Sequence, residues 1–200
     1  ASVVGDATIN IGTAKTVTVK SMNYDETTKV YTEGTATVEG AYITGNVYGG
    51  GKLANVGNYD VINDIVEATG NTFVNIGAVQ DATDATKYVA VAEGMSKVVV
   101  AGNVFGGGKG SNATFKCEKA MVTGGTNINI GNGTVNGTVY GGGEVGRVEN
   151  DTKVTIGLEQ VEGETTSAPV IEGFVFGAGK GTNTHGYAAL ARGNSTVTVQ

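Results

Sequence analysis

The chain has 200 residues, of which 34 are Gly and one is Pro, and 40% are hydrophobic, 16% charged and 6% aromatic. Gly well above its usual share of about 7% signals low complexity or a backbone that turns at short intervals, while abundant alternating Val, Ile and Thr argue against disorder and the lack of a Gly-X-Y period excludes collagen. A net charge of −6, with 13 Lys and Arg scattered singly, leaves no basic patch for a phosphate backbone, so no nucleic-acid partner is expected.

In chain order, the first predicted element is a period-2 strand, Ala7-Thr8-Ile9-Asn10-Ile11-Gly12. It returns as Thr72-Phe73-Val74-Asn75-Ile76-Gly77, Thr126-Asn127-Ile128-Asn129-Ile130-Gly131, Thr152-Lys153-Val154-Thr155-Ile156-Gly157 and Ser195-Thr196-Val197-Thr198-Val199-Gln200. Two aliphatics face one way and Asn or Thr the other, as in a sheet with one buried and one wet face.

A second element alternates with the first: Ile43-x-Gly45-x-Val47, Val100-x-Gly102-x-Val104, Val135-x-Gly137-x-Val139 and Ile171-x-Gly173-x-Val175. Each runs into an aromatic and a Gly turn, Tyr48-Gly49-Gly50-Gly51-Lys52, Phe105-Gly106-Gly107-Gly108-Lys109, Tyr140-Gly141-Gly142-Gly143-Glu144 and Phe176-Gly177-Ala178-Gly179-Lys180. The Gly between the aliphatics is expected to thin the core, and the Gly run to supply positive φ at a corner.

A unit restated at intervals is built by stacking. The expected fold is therefore all-β, a parallel β-helix (β-solenoid) of degenerate Gly-rich repeats with loop insertions. Residues 1–200 form one segment of about four repeat units, expected to belong to a longer array. Ile11, Ile76, Ile130 and Ile156, with Val47, Val104, Val139 and Val175, are its predicted interior. The competing geometry is an antiparallel hairpin stack, because Asn132-Gly133 joins two alternating segments and Asn-Gly is a strong hairpin signal. Ala1-Ser2-Val3-Val4-Gly5-Asp6 resembles Leu53-Ala54-Asn55-Val56-Gly57-Asn58, which follows a Gly turn. Neither terminal segment carries the Pro or inward charge that blunts a sheet edge, so pairing-competent ends are expected.

The alternation of Gly-x-Val-Tyr/Phe-Gly-Gly-Gly-Lys with Thr-x-Val-x-Ile-Gly resembles the Gly-rich repeats of large adhesin-like surface proteins of gut bacteria. The likeness runs through essentially all 200 residues. It implies a β-helical stalk, a location at the cell surface or outside the cell, and an adhesive or structural role, and it carries over no catalytic residue.

The motifs with chemical overtones read as structure. Gly106-Gly107-Gly108-Lys109-Gly110-Ser111 has Asn103 and Gly110 where a phosphate-binding loop needs Gly and Ser or Thr. The Gly turns lack the Asp of calcium-binding nonapeptides; only adventitious calcium, on Asp81 and Asp84 or on Asp60 and Asp64, is conceivable. No cofactor or metal is predicted. His185 is the sole His, and the single Cys117 reads as a small half-buried side chain. The acids sit in insertions without an evident pair, so the chain is not expected to be an enzyme, although polysaccharide cleavage is kept as a distant alternative. Tyr48, Phe105, Tyr140 and Phe176 hold one repeat position and form a candidate aromatic ladder for ligand or partner contact. Expected partners are neighbouring repeats or identical subunits end to end, with a host or microbial glycan or protein as a further candidate and a carbohydrate-binding surface module as the alternative function. No apolar run is long enough for a membrane span.

Overall fold

The computed structural model describes residues 2–13, 17–38, 40–60, 63, 65–67, 69–91, 97–111, 119–161, 163, 165–184 and 186–200. Among them the protein is all-β, with one short 3-10 turn, Gly186–Ala189, as the only helical element.

The five copies of the first motif, Ala7–Ile11, Thr72–Ile76, Thr126–Ile130, Thr152–Ile156 and Ser195–Val199, form one sheet in chain order. Every pairing is parallel and in register, so Ile11, Ile76, Ile130, Ile156 and Val199 lie side by side. Thr126–Ile130 therefore pairs with its own repeats. Gly133, at φ 94°, turns the chain into the next sheet instead of reversing it as a hairpin.

The second motif is not one continuous strand. It splits at its Gly into two short strands belonging to two four-stranded parallel sheets. One sheet holds Ala41–Ile43, Val98–Val100, Thr134–Val135 and Val170–Ile171; the other holds Val47–Tyr48, Val104–Phe105, Val139–Tyr140 and Val175–Phe176. The corner between them is held from layer to layer by side chains. Asn103 N donates to Asn46 Oδ1 (2.8 Å), Thr138 N to Asn103 Oδ1 (2.8 Å) and Phe174 N to Thr138 Oγ1 (3.3 Å). Each bond satisfies an amide that the bent backbone leaves without a ladder partner.

The three inner faces enclose one core. Val74, Ile76, Val100, Val104, Ile128, Ile130, Val135, Val139 and Val154 are wholly buried, with Ile11, Val47 and Ile156 nearly so and Val175 packed against them. The assigned interior is thus the observed one. A further line of parallel bridges, Val3 to Val56, Val56 to Val122, Val122 to Val148 and Val148 to Ala191, follows the Gly turns and has its own buried cluster of Val56, Val122 and Val148. Val3 lies opposite Val56, one residue out of the register of the likeness between residues 1–6 and 53–58, which would set Val4 there.

Two expectations about Gly are corrected. None of the residues in the Gly runs has positive φ. Their Cβ positions are filled by the next layer: a Cβ on Gly49 would meet Gly106 O at 2.1 Å, one on Gly106 would meet Gly141 O at 2.2 Å, and one on Gly141 would meet Gly177 O at 2.1 Å. The Gly of the second motif likewise meets the stacked backbone, not an opposite core wall, since a Cβ on Gly102 would lie 2.5 Å from Gly45 O and one on Gly137 would lie 2.4 Å from Gly102 O. Gly is required because adjacent backbones approach closely.

The first Thr of the long strands also faces inward. Thr72, Thr126 and Thr152 are buried and donate to Gly106 O, Gly141 O and Gly177 O at 2.6 Å, tying the five-stranded sheet to the Gly corner. The insertions form antiparallel pairs outside this body: Val17–Asp25 with Val30–Val38, Asn58–Asp60 with Ile65–Glu67, and Ala78–Gln80 with Tyr88–Ala90.

Candidate functional site

Alternation along the two-residue strands puts Val47, Val104, Val139 and Val175 in the core and turns their aromatic neighbours outward. Parallel register then brings the four rings together. Tyr48 and Phe105 stack with centroids 4.9 Å apart and planes within 4°, Phe105 and Tyr140 at 4.9 Å and 5°, and Tyr140 and Phe176 at 5.4 Å and 22°. Phe105 is fully buried, Tyr48 and Tyr140 are half-buried, and Phe176 is exposed beside exposed Phe174. The faces of the middle rings are taken up by one another, which leaves the exposed Phe174–Phe176 pair as the open end of the column.

Next to the column lies an ionic cluster at the position where the third repeat departs from the others. Glu144 stands between Lys109, 3.1 Å away, and Lys180, 3.5 Å away. Tyr48 donates its hydroxyl proton to Glu144 Oε2 and accepts from Asn46 Nδ2 (3.0 Å) and Lys109 Nζ (3.4 Å), and Lys109 sits 5.6 Å over the Tyr48 ring. Burial is the strongest single influence on Glu144 and acts upward; hydrogen bonds from Tyr48 and Lys109 and the charges of both Lys outweigh it, so its carboxyl lies below the usual range. The hydrogen bond to Glu144, then that to Tyr48, raises Lys109. Four Lys in register would repel at strand spacing. Glu144 sets one carboxylate between Lys109 and Lys180, leaving Lys52 and Lys109 as the like-charged neighbours of the column.

The outer face of the five-stranded sheet carries a long concavity. Two adjoining clefts, of about 770 and 250 Å³, share Phe73, Thr86 and Tyr88 as lining. The floor bears an amide ladder in which Asn129 Nδ2 donates to Asn75 Oδ1 (2.9 Å) and Asn75 Nδ2 to Asn10 Oδ1 (2.8 Å). One wall is the Ala78–Ala90 insertion, fastened at its base by Val91 N to Gly77 O (3.0 Å), Ala90 N to Glu159 O (3.0 Å) and Asn132 Nδ2 to Val91 O (2.7 Å).

No family model, curated protein or solved structure matches this chain.

The remaining candidates are now placed. Asp81 accepts from Thr83 N (2.7 Å), Thr83 Oγ1 (2.6 Å) and Asp84 N (2.8 Å), and Asp84 accepts from Thr86 N (2.9 Å) and Thr86 Oγ1 (2.6 Å). The Thr hydroxyls, then the amides, lower both carboxyls, which brace their own loop. Asp60 accepts from Asn63 N (3.2 Å) and Asn63 Nδ2 (2.7 Å), and its suggested calcium partner Asp64 lies outside the described residues, as do Cys117 and His185. Among the described residues no cluster of three or more His, Cys, Asp or Glu could hold a metal ion.

The cleft was not anticipated from sequence. Its floor column of Asn10, Asn75 and Asn129 was visible, but the wall comes from an insertion whose fold back over the sheet has no repeat to announce it.

Proposed function

We propose that the chain is a segment of a parallel β-helix that serves as a structural or adhesive part of an extracellular or cell-surface repeat protein. The observation that carries this reading is the unbroken parallel register of five copies of one strand motif, joined through two further parallel sheets that repeat in the same chain order. Such a body grows by adding layers and buries its core without disulfides. Equivalent positions in successive layers then form long surface columns, which suit a stalk that presents or contacts other molecules.

The partners on this reading are neighbouring repeats or identical subunits meeting end to end, together with a host or microbial glycan or protein. Support for contact along the stack comes from the parallel register itself, in which each repeat adds one strand to the five-stranded sheet.

An antibody raised against the folded chain tests the location. It should label intact cells of the source organism. Labelling that appears only after permeabilisation would overturn the surface reading.

A further inference from the structure

We propose that the groove across the outer face of the five-stranded sheet is a binding site for an extended, uncharged, β-linked glycan chain. The groove crosses the strands, so it follows the stacking direction, and its floor repeats a polar side chain at each strand, about 4.8 Å apart. That step is close to the length of one sugar ring in an extended β-linked chain. A glycan lying there would meet the accessible Asn10 and Asn129 amides at the two ends of the ladder, with Asn75 buried between them.

The chemistry of the floor selects among ligand classes. The Asn ladder runs in one direction, so it ends in an Asn10 Nδ2 donor and an Asn129 Oδ1 acceptor for which no protein partner is found among the described residues. Both groups line the groove. Sugar hydroxyls donate and accept, and so can satisfy both ends. Phe73 and Tyr88, each half-buried and common to the two clefts, supply apolar surface of the kind on which a pyranose ring packs. The larger cleft has no charged lining residue, and the smaller one is lined by Glu159 as well as Lys87 and Lys153, so an acidic polymer would meet cations at one end only and a carboxylate among them. An extended peptide would seek a free strand edge or deep apolar pockets. The middle of the floor offers neither, because its inner strands are paired on both sides.

The site is also built in advance. The three hydrogen bonds at the base of the Ala78–Ala90 insertion and the carboxylate-braced turn at Asp81 and Asp84 hold the wall in place, which lowers the ordering cost of binding. The site rests on the glycan arm of the proposed function, and the two tests fail separately, since cell labelling reads location and titration reads binding.

Calorimetric titration of the whole chain with cellohexaose, xylohexaose and mannohexaose tests it, with oligogalacturonate as the charged comparator. At least one neutral hexasaccharide should bind saturably, and Phe73→Ala and Asn10→Ala should each weaken it by tenfold or more. Tyr31→Ser, at an exposed position of the Val17–Val38 hairpin that lines neither cleft, should leave the affinity unchanged. Far-ultraviolet circular dichroism and melting of each variant show that the fold is kept, and Phe73→Tyr, which retains the ring, should restore binding if the Phe73→Ala variant melts early. The proposal is overturned if none of the three neutral hexasaccharides binds, if oligogalacturonate binds better than all of them, or if folded Phe73→Ala and Asn10→Ala bind as the parent does.

Discussion

The Val17–Val38 hairpin and the stacked body are written in the same alternating Val and Thr, yet they end in opposite environments. In the body, Val74, Ile128 and Val154 are wholly buried because each strand has parallel neighbours and two facing sheets. In the hairpin the strands pair only with each other, and Met22, Tyr24, Val30 and Tyr31 remain exposed, with Tyr24 and Tyr31 packed ring to ring at 4.7 Å. Alternation states which residues share a face. Burial depends on repetition, which provides the layers that cover that face.

The sharpest way to break the contrast is to put a charge at equivalent alternating positions. Val139→Asp places a carboxylate where no solvent reaches, at a cost of several kcal/mol. The variant should lose its cooperative melt; a melting temperature equal to the parent's would contradict the assigned core. A smaller effect is expected from Gly106→Ala, whose added methyl must displace Gly141 O in the next layer and costs about 3 kcal/mol in chemical denaturation. Gly5→Ala, with nothing within 4 Å, is the control and should be neutral.

Next comes the charge column. Glu144 is depressed in the folded state, so its contribution is complete above the ordinary 4.5 and is lost as pH falls through the lowered value. Lys109 is raised, so its share is complete below the ordinary 10.5 and is lost as pH rises through the raised value. Glu144→Gln should therefore be less stable than the parent by about 1–2 kcal/mol at neutral pH, since it weakens hydrogen bonds to a charged group. The gap should close in thermal melts taken progressively below pH 4.5. The smallest effect belongs to the hairpin: Tyr31→Ser, at an exposed site, should shift stability by under about 0.5 kcal/mol and leave the body's melt unchanged.

The sequence revealed the repeats, their parallel stacking and the faces of Val47, Val104, Val139, Ile76 and Ile130, because period-2 alternation and restatement are local signals. It misled where one residue type serves two physical ends. Gly after Tyr48 or Phe105 looked like a demand for positive φ, whereas the demand comes from Gly106 O or Gly141 O in the adjacent layer, a neighbour distant in sequence. Thr72, Thr126 and Thr152 were passed over as strand openings, since nothing local says that a hydroxyl will find the carbonyl of a Gly turn in the core. The cleft stayed hidden for a similar reason, because Tyr88 and Thr86 reach Phe73 only through the return of an insertion.

The aromatic column also gives the protein an internal optical reporter. Tyr48, Phe105, Tyr140 and Phe176 hold their rings in successive contact at 4.9, 4.9 and 5.4 Å, close enough for their electronic transitions to couple. Coupled rings in a chiral stack give a near-ultraviolet dichroic band that separated rings lack. The column's share of that band measures registry between layers, and a slip of one residue would remove it, leaving the share of the Tyr24–Tyr31 pair, while the hydrogen-bonded strands, and hence the far-ultraviolet spectrum, persisted.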